Sequence, residues 1–271
     1  MRSILVHAHD DGEFDQRLDV ALDLARSFDA HLTLLHAFAY SMGTMTDLHG
    51  AAFAAMTPIW KEEAAALRKK VEADMANEDV SWEWRESSGP AALGLLRHSS
   101  LMDLIVVGAR EPVGGGKAPS WTAGELAISA KCPVLVLPEG CKRFDTGAPA
   151  LVAWDGSAEA SHALRAAVPF LAKAETVYLA SVAEKGVPEG DLPALGGADY
   201  LARHGISCEM IEIGLPGEGG VAGALTEAAA ARKCGLVVMG AYGRARLAER
   251  VFGGVTRAML SDVRVPLLLT N

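Results

Sequence analysis

Apolar positions along this chain alternate between two rhythms. Short apolar runs of strand length are followed by stretches in which apolar residues return every three or four positions, the spacing of a helix face. Ile4 to Ala8 predicts a strand that breaks at His9-Asp10-Asp11-Gly12. Phe14, Leu18, Ala21, Leu22 and Ala25 then predict an amphipathic helix to about Phe28. His31 to Phe38 reads as a second strand, and alanine-rich Ala51 to Met75 as one long helix in which Pro58 is a break or a start point. Ser81 to Glu86 alternates as a strand with Trp82 and Trp84 on one face. Ala91 to Ser99 reads as helix, Leu104 to Val107 as buried strand, Trp121 to Ala130 as helix and Val134 to Leu137 as strand.

The same order then begins again. Ala150 to Trp154 predicts a strand broken at Asp155-Gly156-Ser157, and Ala160, Ala163, Leu164, Ala167 and Leu171 a helix. Thr176 to Val182 reads as strand, Asp199 to His204 as a shorter helix, Cys208 to Ile213 as strand and Gly220 to Arg232 as helix. Leu236 to Met239, Val255 to Ser261 and Pro266 to Leu269 close the series as strand, helix and strand. Wording repeats too: Leu104-Ile-Val-Val-Gly-Ala-Arg110 against Leu236-Val-Val-Met-Gly-Ala-Tyr242, and Cys132-Pro-Val-Leu-Val-Leu137 against Val265-Pro-Leu-Leu-Leu-Thr270. The chain reads as a tandem duplication: residues 1–140 and 150–271, joined by a linker at 141–149 in a Gly-, Pro- and charge-rich stretch.

Strands alternating with helices predict an α/β fold with a doubly wound, Rossmann-like parallel sheet in each half. Ligands of such sheets bind beyond the C-terminal strand ends, at the topological switch point. In the second half Asp155, Val182 and Gly240 end three strands there. Gly240, Gly243, Gly253 and Gly254 follow a strand as G-x2-G-x9-G-G and lead into a helix. Free N–H groups at a helix start suit a phosphate. Arg244, Arg246, Arg250 and Arg257 add local positive charge. The plainer alternatives are that the glycines are turn residues, the arginines are solvated, and Asp155-Gly156-Ser157 is a turn with Ser157 capping the next helix.

Composition narrows the partners. Lys and Arg number 25 against 34 Asp and Glu, a net charge of -9, which argues against a basic nucleic-acid face. No apolar run is long enough for a membrane span. The chain enters a strand at once, so no signal peptide is expected. Cys132, Cys141, Cys208 and Cys234 lack CxxC spacing and read as reduced thiols of a cytoplasmic protein; Cys208 and Cys234 sit in or beside apolar runs.

The residues Ala150-Leu-Val-Ala-Trp-Asp-Gly-Ser157, the glycines at 240, 243 and 253, and the terminal Val-Pro-Leu-Leu-Leu strand resemble the universal stress protein family in its tandem form. The resemblance covers nearly the whole chain. It implies an intramolecular pseudo-dimer in which the two terminal strands of the halves pair. It also implies an ATP site, with Mg²⁺ on the phosphates, made from Ala153, Trp154, Asp155, Val182, Met239, Gly240, Tyr242, Gly243, Gly253, Gly254, Val255 and Thr256. In that reading Asp155 contacts the ribose or adenine end, Ala153 and Val182 frame the adenine, and Gly254, Val255 and Thr256 donate at the helix start. AMP or another adenylate is the alternative ligand. One departure is Gly254, where the family carries a hydroxyl side chain.

The first half departs further. Glu111 takes the place of the second glycine, Ser120 that of the third, and His9 that of the first-strand aspartate if the strands align without a gap. Glu111 would repel a phosphate, so nucleotide binding is expected in the second half alone. Gly114-Gly115-Gly116-Lys117 could cradle an anion or be a flexible loop.

Two further readings stand beside an ATP-binding stress regulator that performs no dedicated catalysis. His7, His9, Asp10 and Asp11, with His36 on the next strand, could hold a metal ion and activate water, or be a half-buried histidine and a helix-capping turn. Alternatively the chain is a structural stress protein with both sites dead. Asp155-Gly156-Ser157 is not the Ser-Gly-Gly-x-Asp-Ser loop of an ATP pyrophosphatase, and a flavoprotein would be yellow. Ser161 and His162 are adjacent on a helix and do not face each other. A homodimer and an unknown protein partner complete the expectations.

Overall fold

The computed structural model describes residues 1–38, 51–111, 119–183, 194–214, 217, 219–241 and 254–271, with backbone alone at 38, 51–57 and 194. The first half contributes β1 (Ser3–Ala8), α1 (Phe14–Phe28), β2 (His31–Phe38), α2 (Ala51–Asp74), β3 (Trp82–Ser88), α3 (Ala91–His98), β4 (Leu104–Gly108), α4 (Trp121–Ser129) and β5 (Val134–Leu137). The second contributes β6 (Ala150–Ala153), α5 (Ala158–Leu171), β7 (Val177–Val182), α6 (Ala194–Arg203), β8 (Glu209–Ile213), α7 (Gly220–Ala231), β9 (Leu236–Gly240), α8 (Gly254–Ser261) and β10 (Leu267–Thr270).

The strands form one ten-stranded sheet in the order β3-β2-β1-β4-β5-β10-β9-β6-β7-β8. Within each half every pairing is parallel; between halves β5 and β10 run antiparallel, with Leu268 opposite Leu135. Each half winds outward from its first strand in both directions, so the switch points lie between β1 and β4 and between β6 and β9. Pairing also removes two bare edges that would otherwise invite association.

The sheet is covered on both faces, and its strands are apolar on both, as a parallel sheet requires. Ile4, Val6, Val152 and Trp154 face one layer with α1 and α5; Leu5, Leu151, Val237 and Met239 face the other with α4, α7 and α8. The linker is anchored. Phe144 is buried, its ring edge-on to Phe170 at 5.9 Å, and Phe170 meets Phe28 at 5.3 Å, so three rings tie α1 to α5. The Phe144 N–H donates to Asp23 Oδ2.

Two expectations shift. α2 runs through Pro58 rather than breaking there. α6 begins at Ala194 instead of 199; Gly197 lets the helix lie against the sheet, since a Cβ there would stand 3.0 Å from both Leu179 Cδ2 and Trp154 Cε2. Close packing outweighs the low helix propensity of glycine. Burial raises all four thiols, Cys132 to about 12 and Cys234 to about 11, which leaves them poor nucleophiles.

Leu268 is fully buried at the seam. Leu268→Ala is expected to lower the unfolding free energy by about 2–5 kcal/mol, measured by urea denaturation. A loss under about 1 kcal/mol would mean that the seam packs loosely.

Candidate functional site

Strand register brings the two halves into correspondence. Ile4, Leu5 and Val6 pair with Leu104, Ile105 and Val106, just as Ala150, Leu151 and Val152 pair with Leu236, Val237 and Val238. Counting on without a gap, His7 stands for Ala153 and His9 for Asp155. The buried faces of the next helices match in the same count: Phe14, Arg17, Leu18, Ala21, Leu24 and Ala25 for Ala160, Ala163, Leu164, Ala167, Phe170 and Leu171. His36 corresponds to Ser181.

In the second half β6, β7 and β9 end side by side. Ala153 and Val182 are half-buried and Met239 is buried, all three on one face of the sheet. Trp154 points to the opposite face, where its indole packs in the core against α6. The Trp154 backbone N–H donates to Ala180 O at 2.8 Å, and its backbone carbonyl accepts from Ser181 Oγ at 2.9 Å. The structure therefore separates Trp154's side chain from the other residues of the expected site.

Asp155 is exposed; its Oδ1 accepts from the Ser157 N–H at 2.9 Å, while Ser157 Oγ caps α5 through the Ala160 N–H at 3.1 Å. Both readings of Asp155-Gly156-Ser157 are thus compatible: the turn is made with one carboxylate oxygen. Gly156 takes a left-handed φ of 75° there.

Gly240 has a packing reason to be glycine. A Cβ on it would lie 2.5 Å from the Glu159 carbonyl carbon and 2.7 Å from Ala160 N, so β9 runs against the first turn of α5. Gly254 opens α8, and among the described residues nothing lies within 4 Å of where its Cβ would stand. Val255 is half-buried and Thr256 buried. Tyr242, Gly243 and Gly253, and the arginines at 244, 246 and 250, lie outside the described residues, as do Gly114 to Lys117.

The corresponding place in the first half is filled by the chain itself. Glu111 sits at the start of α4, where its carboxylate accepts from Thr122 N at 2.5 Å, Ser120 Oγ at 2.8 Å and Thr122 Oγ1 at 3.3 Å. Ser120 Oγ takes the Ala123 N–H at 3.0 Å. The N–H donors at the start of α4 are thus satisfied by a carboxylate and a hydroxyl of the chain itself. Glu111 was expected only to repel phosphate; it takes an anion's position at the helix N-terminus.

Arg17, missed by the sequence reading, is buried on the core face of α1 where α5 carries Ala163. Its Nε donates to His7 O and its Nη2 to Asp11 Oδ2, both at 2.8 Å. A Cβ on Gly108 would meet Arg17 Nη1 at 3.0 Å and no atom of α1's backbone within 4 Å. The guanidinium thus stands between β4 and α1, where β9 and α5 touch directly. The signal was available as a charged residue three positions after Phe14 on an apolar helix face.

Among the described residues no group of three or more His, Cys, Asp or Glu is arranged to hold an ion. His7 and His9 rings are 6.0 Å apart, Asp10 is exposed, and Asp11 is engaged by Arg17 and by the Glu13 N–H. His36 Nδ1 donates to Ala8 O at 2.9 Å, and its ring stacks on Trp84. Burial holds the His7 pKa well below the ordinary imidazole value, and the Arg17, His9 and His36 charges push the same way. His9 is lowered by burial as well, against the opposing pull of Asp11.

A tandem parallel sheet with crevices at two switch points, joined at a shared antiparallel seam, is an architecture that known proteins share. The model of the Universal stress protein family matches residues 1–138 and 216–271, more than half of the chain. The chain belongs to that family. A universal stress protein from Archaeoglobus fulgidus superposes with a TM-score of 0.78 at 16% identity, over 99% of this chain and 98% of that one. A functionally unknown protein from Pseudomonas aeruginosa PAO1 gives 0.67 at 17% identity, over 100% and 92%. A family protein from Arabidopsis thaliana with AMP bound gives 0.37 at 15% identity, over 51% and 92%. Curated protein sequences yield no match. Among the described residues no helix is long and apolar enough to cross a membrane.

The buried neutral His7 predicts a pH dependence. Its folded pKa lies below the unfolded value near 6.5, so between the two the unfolded chain binds the extra proton. The His7 contribution is whole above about pH 6.5 and is lost as pH falls, at up to about 1.4 kcal/mol per pH unit. Urea denaturation from pH 7 to 5 is expected to show this slope in the wild type and a shallower one in His7→Leu. Equal slopes would contradict the assignment.

Proposed function

We propose that this protein is a nucleotide-responsive stress regulator that binds one adenine nucleotide per chain, in its second domain. In this reading residues 1–140 form a domain with a closed site, 141–149 a linker, and 150–271 the binding domain. ATP with Mg²⁺ is the first choice of ligand, and AMP or another adenylate the alternative. Ala153, Val182 and Met239 present an apolar wall for the base, Asp155 its second carboxylate oxygen for a ribose hydroxyl, and the start of α8 its N–H groups for phosphate. Tyr242, Gly243 and Gly253 would complete the loop. Trp154 belongs to the support of the site rather than to its wall.

The observation that carries this reading is the contrast between the two helix starts. At α4 the Thr122 and Ala123 N–H groups are taken by Glu111 and Ser120, whereas α8 opens on Gly254, an exposed residue with no side chain to take such donors. No activated nucleophile or paired acid and base is assigned, so signalling would pass through nucleotide occupancy to a protein partner, or through a homodimer. Residues 150–215, which carry Asp155 and Val182, fall outside the family match, so their roles rest on register and geometry.

Among the described residues nothing lies within 4 Å of where a Cβ on Gly254 would stand, and its φ is not left-handed, so Gly254→Ser adds a hydroxyl without backbone strain. Calorimetric titration of Mg·ATP is expected to give one site in the wild type and tighter binding in Gly254→Ser, by roughly 3- to 10-fold for one added hydrogen bond. Gly243→Glu, which copies the first domain's Glu111, should abolish the heat. No binding by the wild type and by Gly254→Ser alike would favour the purely structural reading.

A further inference from the structure

The wedge made by Arg17 leaves a space beside the strand ends of the first half. A cavity of about 150 Å³ opens between the start of α1 and the ends of β4 and β5. In the second half α5 closes on β9 at Gly240, and His162, which stands where Gln16 does, reaches Asn271 O at 3.1 Å. A cavity of this size holds about five waters or one ring of six heavy atoms.

We propose that this cavity is a second ligand site, built for a small zwitterion of amino-acid size with one carboxylate and one ammonium group. Two polar atoms on its wall ask for a partner. Arg17 is 4% exposed, and its Nη1 has no hydrogen bond among the described residues although Nε and Nη2 are both used. Gln16 Oε1 is buried and unpaired. Leaving a buried acceptor such as Gln16 Oε1 unsatisfied is costly, and a ligand that donates to it recovers that cost.

Charge selects the ligand class. Asp11 is paired with Arg17 and Glu139 with Arg110, but Glu13 and Glu111, also on the wall, accept only from backbone and hydroxyl donors among the described residues. The wall thus carries more carboxylates than cations. A bare anion such as phosphate would meet that excess, and a bare amine would leave Nη1 unsatisfied. A zwitterion serves both: its carboxylate accepts from Arg17 Nη1, and its ammonium donates to Gln16 Oε1 beside the Glu13 carboxylate. The site stands independently of the nucleotide reading.

The full chain is titrated with glycine, L-alanine and 4-aminobutyrate by saturation-transfer NMR and calorimetry, with orthophosphate and ethylammonium as the two half-ligands. At least one zwitterion is expected to saturate at roughly millimolar concentration, and Gln16→Met and Arg17→Lys each to weaken it about 10-fold or more. If Arg17→Lys fails to unfold cooperatively, Gln16→Met alone decides. The proposal is overturned if no zwitterion saturates below about 50 mM, if Gln16→Met binds as the wild type does, or if orthophosphate or ethylammonium binds as well as the zwitterion.

Discussion

Each half of this chain ends in a strand that alone would leave a bare row of backbone donors and acceptors, and the antiparallel pairing of β5 with β10 joins those rows. From that pairing follow the single continuous sheet, the placement of the two switch points on either side of a buried seam, and the cross-seam contacts. Arg110, from the end of β4, reaches Ser261 O at the C-terminus of α8, where a cation suits the helix dipole. Asn271, just beyond β10, donates to Ile128 O near the end of α4. Each half therefore caps a helix of the other.

On this shared frame the halves have parted by what they bury. The second keeps small residues, Ala153, Ser181 and Ala163, where the first places His7, His36 and Arg17. Imidazoles and a guanidinium inside the first half demand partners, and Asp11, the His7 carbonyl and the Ala8 carbonyl supply most of them. His7 takes the place of Ala153 at the strand end, and Glu111 satisfies the helix start that an incoming phosphate would need. Polar satisfaction within the chain and accessibility to a nucleotide are competing uses of the same donors.

The repeat and nearly every element were legible because the apolar runs and helical faces are long and regular. Elements went astray where one contact outweighs local propensity, as at the early start of α6 on Gly197. The glycine pattern from Gly240 to Gly254 marks the expected site in the sequence, and of its glycines the structure describes Gly240 and Gly254. What Glu111 does was not legible, because a carboxylate after a strand reads only as charge until its distance to the α4 N-terminus is known. Trp154 went astray because strand alternation, not adjacency to Asp155, decides which face a side chain takes. Arg17 was hidden in a helix whose other core positions are all apolar.

The central claim is that one half of a duplicated fold is open to an adenine nucleotide while the other is closed by its own side chains. Native mass spectrometry of the full chain with increasing Mg·ATP tests it most directly. The account predicts a mass increase that saturates at one nucleotide per chain. Saturation at two would contradict the closure of the first half, and an unchanged mass at high nucleotide would contradict the opening of the second.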